Sequence, residues 1–294
     1  MYPSRFRYQA PRSLAEALDL LQSYGDGAKV LAGGQSLVPM VKLRFAAPEM
    51  LVDINNIPDL AYHREDADGS LRVGALCRHV DLEFSELLPG RRPTMAAAAP
   101  LIADPIVRNR GTLVGSLCHA DPQGDWASVM LALGGEVIAA SAIGRRAIPV
   151  SEFVVGPFQN TLRPGEIAVE ARVPATQGTV SGGYLKLERR VGDFATVGVA
   201  VSIETSGAEV VRAGIALTGV GGSTIGATEA AAVLTGGPLS DDSIAEAADL
   251  AARAAQPRTD HRGSAEYKRQ LVRVFVTRIL GGTTTAAQAT ERAA

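Results

Sequence analysis

Val30-Leu31-Ala32-Gly33-Gly34-Gln35-Ser36 runs from a short apolar segment into two glycines and a hydroxyl residue. Glycine takes positive φ at little cost and lets the backbone approach a ligand closely. A glycine turn beside a hydroxyl can aim several backbone N–H groups at one anion. A second turn of similar chemistry lies far along the chain: Gly111-Thr112-Leu113-Val114-Gly115-Ser116, followed by Cys118-His119-Ala120-Asp121-Pro122. Two such turns suit a ligand with two phosphates, so a dinucleotide is the first ligand to consider.

Around the first turn the pattern reads as a small β-α-β unit over residues 1–57. Ser13 and Glu16 fit a capping box. Leu14, Ala17, Leu18 and Leu21 recur at helical spacing, and Gly25 ends the helix. Residues 29–31 read as a strand leading into the turn, and 51–54 as another, closed by Asn55-Asn56 and Pro58.

A second unit, 58–176, holds the other turn. A strand is expected over 71–75 after a polar turn at 66–70. A short helix is expected over 81–88 and an alanine-rich helix over 95–102, stopped near Asp104-Pro105. A helix over 126–133 and strands at 136–140, 148–150 and 167–173 follow. The composition breaks at 174–183, where Val180-Ser181-Gly182-Gly183 reads as a boundary loop. The third unit, 177–286, has strand patterns at 184–187, 195–203 and 210–217. Two helices follow: 243–255, with Ser243 and Glu246 as a capping box, and 265–280. In the latter Tyr267, Leu271, Val274, Phe275 and Ile279 form an apolar stripe, read as core or subunit contact. The tail from Gly281 is expected to fray. Strands followed by helices indicate an α+β unit.

The 294 residues are 46% hydrophobic and 20% charged, with a net charge of −2. That balance carries no nucleic-acid or membrane signature. The two cysteines, Cys77 and Cys118, cannot build a disulfide framework. His63, His79, His119 and His261 are scattered, so no protein-built metal site is expected. The segment Met1-Tyr2-Pro3-Ser4-Arg5-Phe6 lacks an apolar signal core, and no run reaches the roughly 20 residues of a membrane span. A cytoplasmic chain with no integral membrane segment is the expectation. An ordinary dinucleotide fold needs G-x-G-x-x-G between strand and helix. Gly219-Val220-Gly221-Gly222 comes nearest, but position 224 is Thr. A Walker loop would need Lys at 227, which is Ala. That segment reads as a strand-to-helix turn.

The string from Val30 through Ser36 into Leu37-Val38-Pro39 resembles the first flavin loop of the molybdenum hydroxylase flavoproteins. Ile102-Ala103-Asp104-Pro105-Ile106-Val107-Arg108-Asn109-Arg110-Gly111-Thr112, running into Gly115-Ser116 and His119-Ala120-Asp121-Pro122, resembles the second. Tyr184-Leu185-Lys186 and Gly192-Asp193-Phe194-Ala195-Thr196-Val197-Gly198 resemble the start of that family's C-terminal domain. Ser264-Ala265-Glu266-Tyr267-Lys268-Arg269 resembles its last helix. The likeness covers nearly the whole chain, in order. It is strongest to the FAD-binding medium subunits of the carbon monoxide dehydrogenase and xanthine dehydrogenase family.

The resemblance implies an α+β protein: a two-subdomain α/β FAD-binding domain of PCMH type, then a C-terminal domain of antiparallel strands and helices. It implies FAD contacts from Lys29, Val30 and Leu31 and from a pyrophosphate loop, Ala32, Gly33, Gly34, Gln35 and Ser36. Gly111, Thr112, Gly115 and Ser116 would complete the cradle. Ile102, Ala103 and Val107 would pack near the flavin. His119, Asp121 and Asp125 match dinucleotide contacts, and Leu162 and Lys186 match positions near the isoalloxazine ring. The usual second turn has two adjacent glycines, and here Val114 replaces the first. Flavoenzymes of similar two-loop fold that attach FAD covalently do so through a first-loop histidine. Gln35 stands there, so FAD is expected to be non-covalent.

Other roles stay open at this level. Arg108 and Arg110 either balance phosphate charge or are structural. Asp121 and Asp125 accept from a ribose, cap a helix, or both. Lys186 either brings positive charge to the ring or is an ordinary strand lysine. No catalytic residue is assigned, since His119 lacks an evident partner for a base. The expected function is an electron-transfer subunit. A large molybdopterin subunit and a small 2Fe-2S subunit would be its partners, in a dimer of heterotrimers. Electrons would pass from iron–sulfur clusters to FAD and on to an external acceptor. A self-contained FAD oxidase and a flavin-free assembly module are the alternatives.

Overall fold

The computed structural model describes residues 2–291. The first lobe runs β1 (Arg7–Gln9), α1 (Leu14–Tyr24), β2 (Ala28–Leu31), α2 (Leu37–Lys42) and β3 (Met50–Asp53). Its sheet is parallel, in the order β1-β3-β2. Ser13 caps α1 by accepting from the Glu16 N–H, and Glu16 reaches back to the Arg12 N–H at 2.9 Å rather than to Ser13. Central β3 buries Met50, Leu51 and Val52. The glycine turn joins β2 to α2.

The second lobe begins with β4 (His63–Glu65), β5 (Leu71–Gly74), α3 (His79–Glu83), α4 (Pro93–Ala98) and α5 (Pro105–Arg108). It continues with α6 (Leu113–His119), α7 (Asp125–Ala132), β6 (Glu136–Ser141) and β7 (Gly144–Pro149). It closes with α8 (Val150–Phe153), β8 (Val154–Gly156), β9 (Gln159–Asn160) and β10 (Ile167–Val173). The main sheet, β4-β5-β10-β6-β7, is antiparallel throughout. The third lobe is an antiparallel sheet of β11 (Thr179–Leu187), β12 (Val197–Ser206), β13 (Glu209–Thr218) and β14 (Ile225–Gly226). It is backed by α9 (Thr228–Ala232), α10 (Asp241–Ala254) and α11 (Ala265–Glu291).

Side-chain size on β12 explains how the lobes join. Val197, Val199, Val201 and Ile203 face a core shared with α10 and α11. Each such burial contributes roughly 1.5–3 kcal/mol. Ala200, by contrast, belongs to the core of the first two lobes, together with Tyr184 and Ala216. Small residues on that face let backbones meet. A side chain at Gly214 on β13 would overlap the Ala132 carbonyl of α7.

Several expectations need correction. Val180–Gly183 is not a boundary loop but part of β11. Gly182 adopts φ +144, and a side chain there would meet Val201 and the Thr94 hydroxyl of α4, so its glycine serves close packing. The second glycine turn is the start of a helix: Thr112 caps α6 by accepting from the Gly115 N–H at 3.0 Å. Helix α3 begins at His79 and ends at Glu83, earlier than expected. In α10 the N-cap is Ser240, with Ser243 reciprocating from the third helical position. Helix α11 does not fray from Gly281 but continues to Glu291. Its inward residues are Val272, Phe275, Val276, Ile279 and Leu280, whereas Tyr267 is exposed. The 219–222 segment leads into β14 before α9, not directly into a helix. The unexpected elements β1, β4, β8, β9, β14, α2, α5, α8 and α9 are at most six residues long, and α6 has seven. Pieces that short show little periodicity and owe their form to neighbours.

Candidate functional site

A cleft of about 790 Å³ lies among the three lobes. Its volume suits a small-molecule site. The end of β2 supplies Lys29 and Val30, and the following turn supplies Ala32, Gly33, Gly34, Gln35 and Ser36. Gly34 sits at φ +78, and Ser36 returns to helical backbone at φ −104 and ψ −49. Alternation of that kind makes successive N–H groups converge on a concavity. Among the described residues, the N–H groups of Gly33, Gly34, Gln35 and Ser36 donate to no protein acceptor. Four adjacent donors with no protein acceptor, turned into one cleft, are available to an acceptor from outside the chain. The Gln35 side chain is turned to the Ile106 carbonyl at 3.4 Å.

The second turn abuts the first in the cleft wall, where Gly33 lies against the backbone of Arg110 and Gly111. Gly111, Thr112, Gly115 and Ser116 are all in its wall. The Thr112 hydroxyl is taken by its capping bond, and a Cβ on Gly115 would stand 2.6 Å from that oxygen. Val114 is 2% exposed, within the helix and without positive φ, so its side chain packs into the core unstrained. Two residues that sequence reasoning passed over tie the turns together. Asn55 Nδ2 donates to the Ala32 carbonyl at 2.8 Å, and Arg78 Nη2 donates to Asn55 Oδ1 at 2.6 Å. Arg78 Nη1 reaches the Arg110 carbonyl at 2.7 Å. Neither residue carried a local motif; only the tertiary contact reveals them.

Ile102, Ala103 and Val107 form another wall. Ala103 is held in the left-handed region at φ +46. Arg108 donates to the Ile102 and Ala103 carbonyls at 3.1 Å each and pairs with Glu83 at 2.7 Å. Its charge is therefore neutralised inside the protein, and of the two roles left open for Arg108 the structural one holds. Gly192, Asp193 and Phe194 close the same side. A Cβ on Gly192 would lie 3.1 Å from the Ala103 carbonyl group.

His79, also unflagged by sequence, lines the cleft beside Gly111. Its Nδ1 accepts from the Trp126 indole at 3.0 Å, so the neutral ring carries its proton on Nε2. Burial, with Arg108 and Arg78 nearby, pushes its pKa down to about 4. His119 also borders the cleft, its ring tilted against Phe158 and its Nε2 3.9 Å from Asp121. Burial lowers its pKa, opposed by Asp121. Asp121 itself is not in the wall; it accepts from the Gln123 N–H at 2.9 Å. Leu162 is in the wall, its N–H held by Asn160 at 3.0 Å.

Asp125 reaches the cleft but has both oxygens engaged, by Tyr184 at 2.6 Å and Lys186 at 3.1 Å. Burial raises its carboxyl and Lys186 opposes the rise. Lys186 lies behind the wall, 1% exposed, between Asp125, Glu188 and the Leu101 carbonyl. Of the positions expected from sequence, Leu31, Asp121 and Lys186 stand outside the lining, and the others line one cleft.

The model for the FAD binding domain in molybdopterin dehydrogenase matches residues 4–176. The model for the CO dehydrogenase flavoprotein C-terminal domain matches 183–283. The chain is 41% identical to the carbon monoxide dehydrogenase medium chain of Hydrogenophaga pseudoflava over 280 residues, covering 95% of this chain and 97% of that one. It is 40% identical to the 6-hydroxypseudooxynicotine dehydrogenase complex subunit alpha of Paenarthrobacter nicotinovorans over 282 residues, 95% of each. A solved structure of carbon monoxide dehydrogenase from Hydrogenophaga pseudoflava, lacking the Mo-pyranopterin moiety of its cofactor, superposes with a TM-score of 0.90. Identity there is 42%, over 96% of this chain and 98% of that chain.

Proposed function

We infer the role of this chain from its family: it belongs to the FAD-binding medium subunits of the molybdenum hydroxylases. It is thus a subunit of an oxidoreductase and a flavoprotein. We propose that it is the subunit through which electrons leave the complex. The observation that carries this reading is the row of unsatisfied donors at Gly33, Gly34, Gln35 and Ser36.

In this proposal those N–H groups hold the pyrophosphate, with the Ser36 hydroxyl and the start of α6 at Gly111, Thr112, Gly115 and Ser116. Lys29, Val30, Ala32, Ile102, Ala103, Val107 and Leu162 supply the apolar and stem contacts. His119 and Asp125 border the nucleotide. Leu31, Asp121 and Lys186 act from behind the lining, Lys186 by fixing Asp125. Gln35 is no covalent attachment point, so FAD is held without a bond. When bound, FAD supplies the redox chemistry, accepting electrons singly and releasing them singly or in pairs. The chain's own work is to bind it, orient it and exclude water. The boundaries 1–57, 58–176 and 177–286 are proposed as the two FAD-binding subdomains and the C-terminal domain, supported by one main sheet in each.

Iron–sulfur clusters and molybdopterin are assigned to separate small and large partners, as a dimer of heterotrimers. Two cysteines fall short of the four thiolates such clusters generally need. Cys77 and Cys118 are free, which supports a reducing, cytoplasmic setting. No helix among the described residues is long and apolar enough to cross a membrane.

The test is to purify the chain alone and with its partners. A yellow chain without dehydrogenase activity until the partners are added supports the proposal. A yellow chain that oxidises substrate unaided would replace it with an oxidase. A colourless chain that refuses added FAD would replace it with an assembly module.

A further inference from the structure

The two glycine turns are tied by side chains that have no place in either. Asn55 follows β3 and is oriented by Asp53, whose Oδ1 accepts from the Asn55 N–H at 2.9 Å and from its side-chain amide. The amide therefore points its nitrogen at Asp53 and Ala32 and its oxygen at Arg78. Arg78 leaves a segment already joined to the second turn, where the His79 N–H donates to the Gly111 carbonyl at 3.0 Å. Its guanidinium joins the two where they touch, one nitrogen on Asn55 and the other on the Arg110 carbonyl. A planar fork of fixed geometry does this at lower entropic cost than two flexible donors.

Both fixed carbonyls precede a glycine, Ala32 before Gly33 and Arg110 before Gly111. A glycine peptide can rotate cheaply, so its orientation must be imposed from outside. In a trans peptide the C=O and the following N–H point in opposite directions. Holding the Ala32 oxygen against Asn55 turns the Gly33 N–H the other way, and that N–H has no protein acceptor.

We propose that Arg78 and Asn55 are positioning residues, a clamp that fixes the Ala32–Gly33 peptide as a donor and sets the spacing of the two turns for a diphosphate ligand. The inference rests on the reading that these turns hold FAD. Preorganised donors bind more tightly because the ordering is completed before the ligand arrives.

The test uses the full chain, stripped of flavin, and its Arg78→Met, Arg78→Lys, Asn55→Ala and Arg78→Met/Asn55→Ala variants. FAD dissociation constants come from flavin fluorescence, and phosphorus NMR reads the bound pyrophosphate at saturation. Arg78→Met and Asn55→Ala should each weaken FAD binding about tenfold or more and move the pyrophosphate resonances. Arg78→Lys should lose less, because one ammonium retains one of the two acceptors. The double variant should be no weaker than the worse single one, since both act through one chain of bonds. Binding within twofold of the parent, multiplicative losses, or weaker binding with unmoved resonances would each overturn the clamp. If Arg78→Met does not fold, Asn55→Ala and Arg78→Lys decide. Gly34→Val is measured alongside. If it retains FAD, the loop reading itself fails; if it loses FAD while the clamp variants keep it, only the clamp fails.

Discussion

Gly33 and Arg110, from turns far apart in sequence, are in direct backbone contact. A methyl group on Gly33 would overlap the Arg110 carbonyl oxygen and stand 2.8 Å from the Gly111 Cα. No side-chain movement relieves a clash with backbone, so Gly33→Ala must part the two turns. At Gly34 the conflict is of another kind: φ is +78, but a Cβ would meet only the ends of Leu31 and Val38, both at 3.2 Å. A left-handed alanine costs about 1–2 kcal/mol. Gly33→Ala is expected to cut FAD affinity more than Gly34→Ala, read by fluorescence titration of the apoprotein. The reverse order would mean that the turns do not act as one cradle.

Gly115 and Cys118 share a helix but differ in what they touch. A valine at 115 would displace the Thr112 hydroxyl from its cap, and loss of such a cap costs about 0.5–2 kcal/mol. Cys118 contributes its carbonyl, which accepts from Asn160 at 2.7 Å and which alanine would keep. Gly115→Val should impair FAD retention through gel filtration well beyond Cys118→Ala. Equal retention would remove the start of α6 from the cradle.

Among the described residues, Lys186 is the only cation within ion-pair distance of both Asp125 and Glu188. Removing one partner of a buried pair leaves an uncompensated charge and costs about 3–5 kcal/mol. Lys186→Met should lower stability by that order in urea unfolding at neutral pH. The loss should shrink in acid, as protonation neutralises the Asp125 carboxyl, which burial already raises. A variant with parental stability would show that these charges are not coupled.

His79 gives the fold an acid-sensitive point. Its folded pKa, about 4, lies below its ordinary 6.5, because burial disfavours the imidazolium. The unfolded chain therefore takes up the proton first as pH falls. Stability from this residue is complete above about pH 6.5 and is lost toward pH 4, at up to about 1.4 kcal/mol per pH unit. His79→Asn, whose Oδ1 can replace Nδ1 as acceptor for Trp126, should flatten that part of the stability–pH curve. An unchanged slope would assign the acid sensitivity elsewhere.

Much of the site was legible because its chemistry is local. Glycines beside a hydroxyl, as at Gly33-Gly34-Gln35-Ser36, advertise backbone donors wherever they fold. The capping of α1 by Ser13 and the strand at Ile167–Val173 were legible for the same reason, since caps and apolar runs depend on adjacent residues. Gly182 shows the opposite case. Its sequence neighbours suggest a loop, yet its glycine serves the packing of β11 on Val201 and Thr94, which are distant in the chain. The apolar stripe of α11 shifted similarly, since the face that turns inward is chosen by β12 and α10, not by the helix.

Order along the chain determined the pair of turns, the strand-rich third unit and the likeness to a flavoprotein family, because each is written in short contiguous strings. Tertiary structure alone decided that Arg108 is neutralised by Glu83, that Lys186 lies behind the wall, and that Asn55 and Arg78 bridge the turns. Side-chain pairing across tens of residues leaves no periodic trace. A charged or amide group declares its partner only when folding has brought the two within a few ångströms.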